Sequence, residues 1–230
     1  MMRIKIFLSL IITLLALGAY SQDGYIVKKN NLVKSFKLQA SDQLEITNYF
    51  GSVHIHTWQY NEVRAKIEIT TYGKTEEMAQ EFIDNTNILQ KIIKHIDIDS
   101  PQAVRSKQES AARLTLSTEI YTPHNRGNGV RKLTNNEDPA NSEINVVYQV
   151  YLPATLPLKI SQTWGKVYID DFSGDLDVKV HGGALQAAKL IGENITISIH
   201  RSFGESTIDA IESNHVKIDV IQGEKIKIGK

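Results

Sequence analysis

Two histidines one residue apart, His54 and His56, are the one pair in this chain with the spacing of metal ligands. Residues two apart on a β-strand project from the same face, so both imidazoles could reach one Zn²⁺ ion. A zinc site needs further ligands, and in a chain without cysteine these would have to come from elsewhere, from His95 or His181. The same residues also fit a polar outer strand face whose alternate members, Val53 and Ile55, point inward, and this is the reading adopted. No metal and no cofactor is expected, with His54 and His56 as the only metal candidates.

The carboxylates raise two other chemistries. Asp170 and Asp171, beside Asp175 and Asp177, suggest Ca²⁺. A calcium loop of the D-x-[DN]-x-[DN]-G type is absent, however, so these are read as outward strand and turn residues. Glycan-cleaving enzymes hold two carboxylates at a fixed separation. Asp170, Asp171, Glu193, Asp209 and Glu212 fall in successive segments at different offsets from the nearest glycine, so nothing pins a pair. A G-x-S-x-G elbow is also missing. Trp58 and Trp164 could stack on sugars, but are read as covers for a corner or an end. Asn194-Ile-Thr196 matches a glycosylation acceptor and is read as a solvated corner. No catalytic residue is expected.

The elements that would carry these residues are marked by glycine. Gly165, Gly183, Gly204 and Gly223 lie 18, 21 and 19 residues apart, and alternating residues follow each of them. A period near twenty with apolar alternation in every unit predicts stacked parallel strands with Gly, Asn or Ser corners. Gly51 and Gly174 are expected to make turns of the same kind. The predicted fold is therefore all-β, a parallel β-solenoid or β-helix-like stack, with an antiparallel β-sandwich as the alternative. The last unit stops after Ile228, which leaves an open edge at risk of pairing.

Upstream, Leu44 to Ile69 alternates strictly, with turns expected at Gly51 and at Tyr60-Asn61. Thr75 to Asp84 breaks the alternation. A threonine cap, Glu76 and Glu77 in the first turn, and Met78, Ala79, Phe82 and Ile83 at helical spacing predict one short helix over 75–84. Residues 122–143 are almost wholly polar and predict an exposed loop. Four segments result: a signal peptide over 1–21, an N-terminal β region over 22–121, the loop over 122–143, and the glycine-marked coils over 144–230.

Arg3 and Lys5, an apolar run from Ile6 to Leu17 and Ala19-Tyr20-Ser21 have the form of a secretory leader. Export to the periplasm or cell surface is expected, with no transmembrane anchor after cleavage. Lys+Arg and Asp+Glu each number 26, so the formal net charge is zero. Nucleic-acid binders use a basic excess to displace counterions, so nucleic acid is not an expected partner.

Several of these stretches also carry a family resemblance. They are Asn48-Tyr-Phe-Gly51-Ser-Val-His-Ile, Trp58-x-x-Asn61-Glu-Val63, the Glu-rich helix, Val147-Tyr-x-Val-Tyr-Leu-Pro153 and Trp164-Gly-Lys-Val-Tyr-Ile-Asp-Asp-Phe-Ser-Gly174. Across most of residues 44–222 the chain resembles the DUF4097-type adhesin family of exported bacterial proteins. The resemblance implies a β-helix-like fold and offers no catalytic residues to carry over. The short final coil and the polar insertion depart from that family. The expected function is a noncatalytic, adhesin-like interaction module of the envelope or surface, whose partner is an envelope or surface protein or a glycan. The alternatives are a polysaccharide-active enzyme on the same scaffold and an envelope-stress sensing component.

Overall fold

Strict alternation becomes strand throughout the chain. The computed structural model describes residues 26–37, 42–94, 112–123, 130–132, 144–222 and 225–229. Residues 1–25 (which include the expected leader), His95, Gly223 and most of the 122–143 segment lie outside the described residues. Eleven strands follow in order: β1 (Ile26–Lys37), β2 (Gln43–Trp58), β3 (Glu62–Gly73), β4 (Thr86–Lys94), β5 (Ala112–Pro123), β6 (Val130–Lys132), β7 (Ile144–Pro153), β8 (Leu158–Ile169), β9 (Leu176–His200), β10 (Ser206–Ile221) and β11 (Ile226–Ile228). The single described helix, α1 (Glu76–Asp84), falls where the sequence predicts it, with Thr75 Oγ1 accepting the Met78 N–H at 3.2 Å. Its buried Ala79 lies against β3, where the Thr71 hydroxyl donates to the Ala79 carbonyl at 2.7 Å. No helix among the described residues is long and apolar enough to cross a membrane.

The strands form a mixed, mostly parallel sheet in the order β1-β3-β7-β2-β8-β9-β10-β11, with β5 joined to β2 and carrying β4 and β6. From β2 to β11 along this order every pairing is parallel. The antiparallel pairings join β1 to β3, β3 to β7, β4 to β5 and β5 to β6. The β5–β6 ladder, Tyr121–Pro123 against Val130–Lys132, puts strand inside the segment expected to be a loop. From β8 to β11, partners in the parallel ladder differ by a nearly constant step, whereas β2 joins β8 across 114 positions. Gly165 faces Gly183 across 18 positions, and Ile208 faces Ala187 across 21.

Like therefore stacks on like. Val53, Val167 and Leu185 form one buried row, and Ile55, Ile169, Ala187 and Ile208 form the next. Removing each large aliphatic side chain from water contributes about 1.5–3 kcal/mol. A small polar network sits inside this core. Asn48, fully buried, donates from Nδ2 to the Val146 carbonyl at 3.0 Å and to Gln162 Oε1 at 3.1 Å. Its Oδ1 accepts from the Thr118 hydroxyl at 2.9 Å, and that hydroxyl shares a 2.8 Å hydrogen bond with Tyr148. Each side-chain amide inside the core thus has a partner, as burial in an apolar interior requires.

Gly51, Gly165 and Gly183 act as bends inside long strands, whereas Gly174 and Gly204 lie in the turns between strands. Residues 44–47 of β2 lie between β5 and β8, whereas residues 51–55 lie between β7 and β8. The bend is made by Phe50 and Gly51, both at positive φ (56° and 129°), and Trp164 repeats it at φ 54° in β8. The corners then stack so closely that no side chain fits. A Cβ on Gly165 would lie 1.7 Å from the Gly51 carbonyl oxygen, and one on Gly183 would lie 1.7 Å from that of Gly165. Gly174, at the turn before β9, is held 2.8 Å (measured to its would-be Cβ) from the Thr155 carbonyl. Gly204 differs, with open space around it at φ 98°.

These two kinds of glycine separate in a stability measurement. Gly165→Ala is expected to lower unfolding free energy in urea by more than about 3 kcal/mol, because backbone must move to admit the methyl group. Gly204→Ala is expected to cost only about 1–2 kcal/mol, the strain of a positive φ alone. Equal losses at the two positions would contradict the close-approach account.

Candidate functional site

A row of rings crosses the outer face of the sheet on β8, β2 and β7, flanked by cations on β3. Strand alternation puts Val53 and Ile55 in the core and leaves His54 and His56 outside, as expected from their spacing. Cross-strand register then sets their neighbours: Tyr168 and Gln149 flank His54, and Tyr151, itself opposite Arg64, flanks His56. His54 stacks on Tyr168 with ring centroids 4.4 Å apart, and His56 stacks on Tyr151 at 4.9 Å. Trp58 continues the row, tilted against Tyr151 at 5.6 Å and edge-on to Tyr60 at 5.2 Å. The indole is fixed by its N–H, which donates to the Glu62 carbonyl at 2.9 Å. Arg64 lies over the Trp58 ring and Lys66 over Tyr151, at 5.2 and 5.4 Å from the centroids.

The two imidazoles are committed to other partners. His54 Nε2 hydrogen bonds with the Ser52 hydroxyl at 2.9 Å, and His56 Nδ1 meets Asp170 Oδ2 at 3.1 Å. Asp170, 114 positions from His56 in sequence, is the acidic neighbour that local reading could not find. Among the described residues no group of three or more His, Cys, Asp or Glu side chains is placed to hold a metal ion. His181 instead lies at the glycine corner, edge-on to Trp164 at 5.7 Å and tilted toward His200.

Three of the other carboxylates serve neighbouring strands. Asp171 accepts the Lys189 backbone N–H at 3.1 Å, and Asp175 accepts both the backbone and side-chain N–H groups of Asn194 at 3.0 and 3.2 Å. Glu212 pairs with Lys189 at 2.7 Å. Each of these tethers one rung to the next, a structural use of acids that also suggested calcium. The two tryptophans part company. Trp164 covers the corner, stacked on Phe203 at 5.6 Å and pressed on Gly182, where a Cβ would lie 2.1 Å from the ring. Trp58 belongs to the outer row.

Sequence reasoning singled out His54, His56 and Trp58 but missed Tyr151, Tyr168 and Arg64. The available signal was their outward phase: Tyr151 and Tyr168 each alternate with buried aliphatics in β7 and β8. Assembled, the row is a stiff ridge of aromatic and imidazole edges, with cations along β3 and a carboxylate at Asp170. Ring faces are largely used up against one another, so hydroxyl, ring N–H, guanidinium and ammonium groups are what remains for a ligand.

No family model matches the chain, and no curated protein matches it. Among solved structures, one described as a "putative cell adhesion protein" from Clostridium sporogenes is similar over 88% of this chain and 100% of its own, at 13% identity and a TM-score of 0.42. The adhesion role in that description is said of the neighbour.

Burial first, and then the His56 imidazole, hold His54 below the usual histidine value of 6.5, against the opposing pull of Asp170. Burial, then Arg201 and His200, do the same to His181. The unfolded chain therefore takes up protons near pH 6.5 that the folded chain resists. This contribution to stability is complete above pH 6.5 and is lost as pH falls through the lower, folded values. The urea midpoint is expected to drop between about pH 7.5 and 5.5, and His54→Asn with His181→Asn is expected to flatten that slope. An unchanged slope in the double variant would place the effect elsewhere.

Proposed function

We propose that this chain is an exported, noncatalytic binding module of the cell envelope or surface, adhesin-like in function, in which the parallel rungs close into a solenoid-like stack. The outer row of His54, His56, Tyr151, Tyr168 and Trp58 is its binding face, and a protein surface is its ligand. The observation that carries this reading is the mutual stacking of those rings, flanked by Arg64, Lys66 and Asp170. Tyrosine, tryptophan and arginine concentrate binding energy at protein interfaces because they bring large areas with little conformational freedom to lose. Here that freedom is already removed by cross-strand contacts, which is the preorganisation a binding face needs. Sugar-binding platforms, in contrast, leave a ring face open to the pyranose. Support for a solenoid-like closure comes from the step of 18–21 positions between parallel partners from β8 to β11 and from the stacked bends at Gly51, Gly165 and Gly183.

The noncatalytic part rests on the carboxylates. Asp171 and Asp175 spend their oxygens on backbone N–H groups of the next rung, and Asp170 is held by His56.

The test is crosslinking capture from intact cells together with a glycan array, using the wild-type chain and Tyr151→Ala and Trp58→Ala variants. Capture of a specific envelope protein that weakens by roughly 30-fold in each variant, with far-UV circular dichroism unchanged, is the expected outcome. Array binding lost in the same variants would replace protein by saccharide as the ligand. Release of sugar from any array member would defeat the noncatalytic reading.

A further inference from the structure

The second half of β10 ends the parallel ladder in an unusual way. Residues 215–221 pair with β9 on one side, whereas β11 covers only Ser206, Thr207 and Ile208 on the other. Val216, Ile218 and Val220 stand in register with Ile195, Ile197 and Ile199, which are 0–1% exposed, and so extend a core row. Yet Val216 is 46% exposed and Val220 40%. The backbone points the same way. The Ile221 carbonyl accepts the Arg201 N–H at 2.9 Å, so residues 215, 217, 219 and 221 turn their amide groups toward β9. Alternation then sends the amide groups of Val216, Ile218 and Val220 to the uncovered edge, where no described strand pairs with them.

We infer that this edge pairs with the same edge of a second copy of the chain, antiparallel and centred on Ile218. The sequence His215-Val-Lys-Ile-Asp-Val-Ile221 is complementary to itself about that centre. Reversed against a copy, Ile218 faces Ile218, Val216 faces Val220, and Lys217 faces Asp219. The three residues whose amide groups are open fall in the hydrogen-bonded pairs of such a ladder. Lys217 and Asp219 fall in the non-hydrogen-bonded pairs, where side chains come closest. Within one copy these two side chains already lie 3.2 Å apart, on the same face. Two copies bring together four charges of alternating sign, while the exposed aliphatic row closes over its own image. A two-fold axis through Ile218 satisfies both sides with one surface, as an isologous interface must. Parallel pairing, or a shift by one residue, would put lysine against lysine or set the charged face against the core face. The interface is separate from the outer ring row and does not depend on its role.

Sedimentation equilibrium of the full chain, expressed with its own leader, tests the register. The wild type is expected to show a concentration-dependent dimer. Lys217→Asp and Asp219→Lys each place like charges across the axis twice, and each is expected to weaken self-association about tenfold or more. An equimolar mixture of the two variants restores opposite charges at both positions and is expected to regain the dimer. The double swap in one chain is expected to regain it as well, with the intrachain pair also restored. A wild-type chain that stays monomeric overturns the proposal, as do single variants that associate like wild type or a mixture that gains nothing. Circular dichroism on each variant separates loss of pairing from loss of fold, and the double swap carries the test if a single variant unfolds.

Discussion

Everything in this chain depends on how closely its backbones approach at one corner. Where β2, β8 and β9 bend, the carbonyl of each glycine occupies the space in which the next rung's side chain would begin. That contact fixes the spacing of the rungs and the direction in which each strand leaves the bend. Because the bends align, Val53, Val167 and Leu185 fall in one inward row. Because the inward rows align, the outward ones do too, and Tyr168 meets His54 without any local instruction in either strand. The ring ridge is thus a by-product of corner geometry, supplied with aromatic residues.

The energetic division of labour follows. Aliphatic rows supply the driving force, while their specificity comes from the few polar groups that must be satisfied. Asn48 and Gln162 cross-link three rungs inside the core, and their loss would leave buried amides without partners. Asp171 and Asp175 do the equivalent outside by gripping the N–H groups of Lys189 and Asn194. Exposed ion pairs such as Lys29–Glu68 at 3.0 Å add little, because solvent screens them.

Much of this was legible in the residues. The glycine spacing found the bends at Gly165 and Gly183 because only glycine tolerates the approach there, and the helix was readable from its cap and first-turn acids. The bends themselves were misplaced in kind, as turns between strands, because the preceding residue shares the work: Phe50 and Trp164 take positive φ against their own steric preference. Partner choice was not legible. Nothing local announces that β1 runs antiparallel to β3, that β3 meets β7, or that β2 is paired with strands more than 90 residues later. The site suffered most from this. His54 and His56 could be named from spacing, but their company, Tyr168 and Tyr151 with Asp170, exists only through those distant pairings.

The Asn48 network also governs when the molecule can exist. Asn48 is completed by Thr118, Val146 and Gln162, which follow it by 70, 98 and 114 positions. The β2 rung is therefore completed only when β5, β7 and β8 are all in place, and such distant pairings require long loops to close first. Until β8 takes its second edge, β2 presents an unpaired strand backed by buried aliphatics, a template on which another chain could pair.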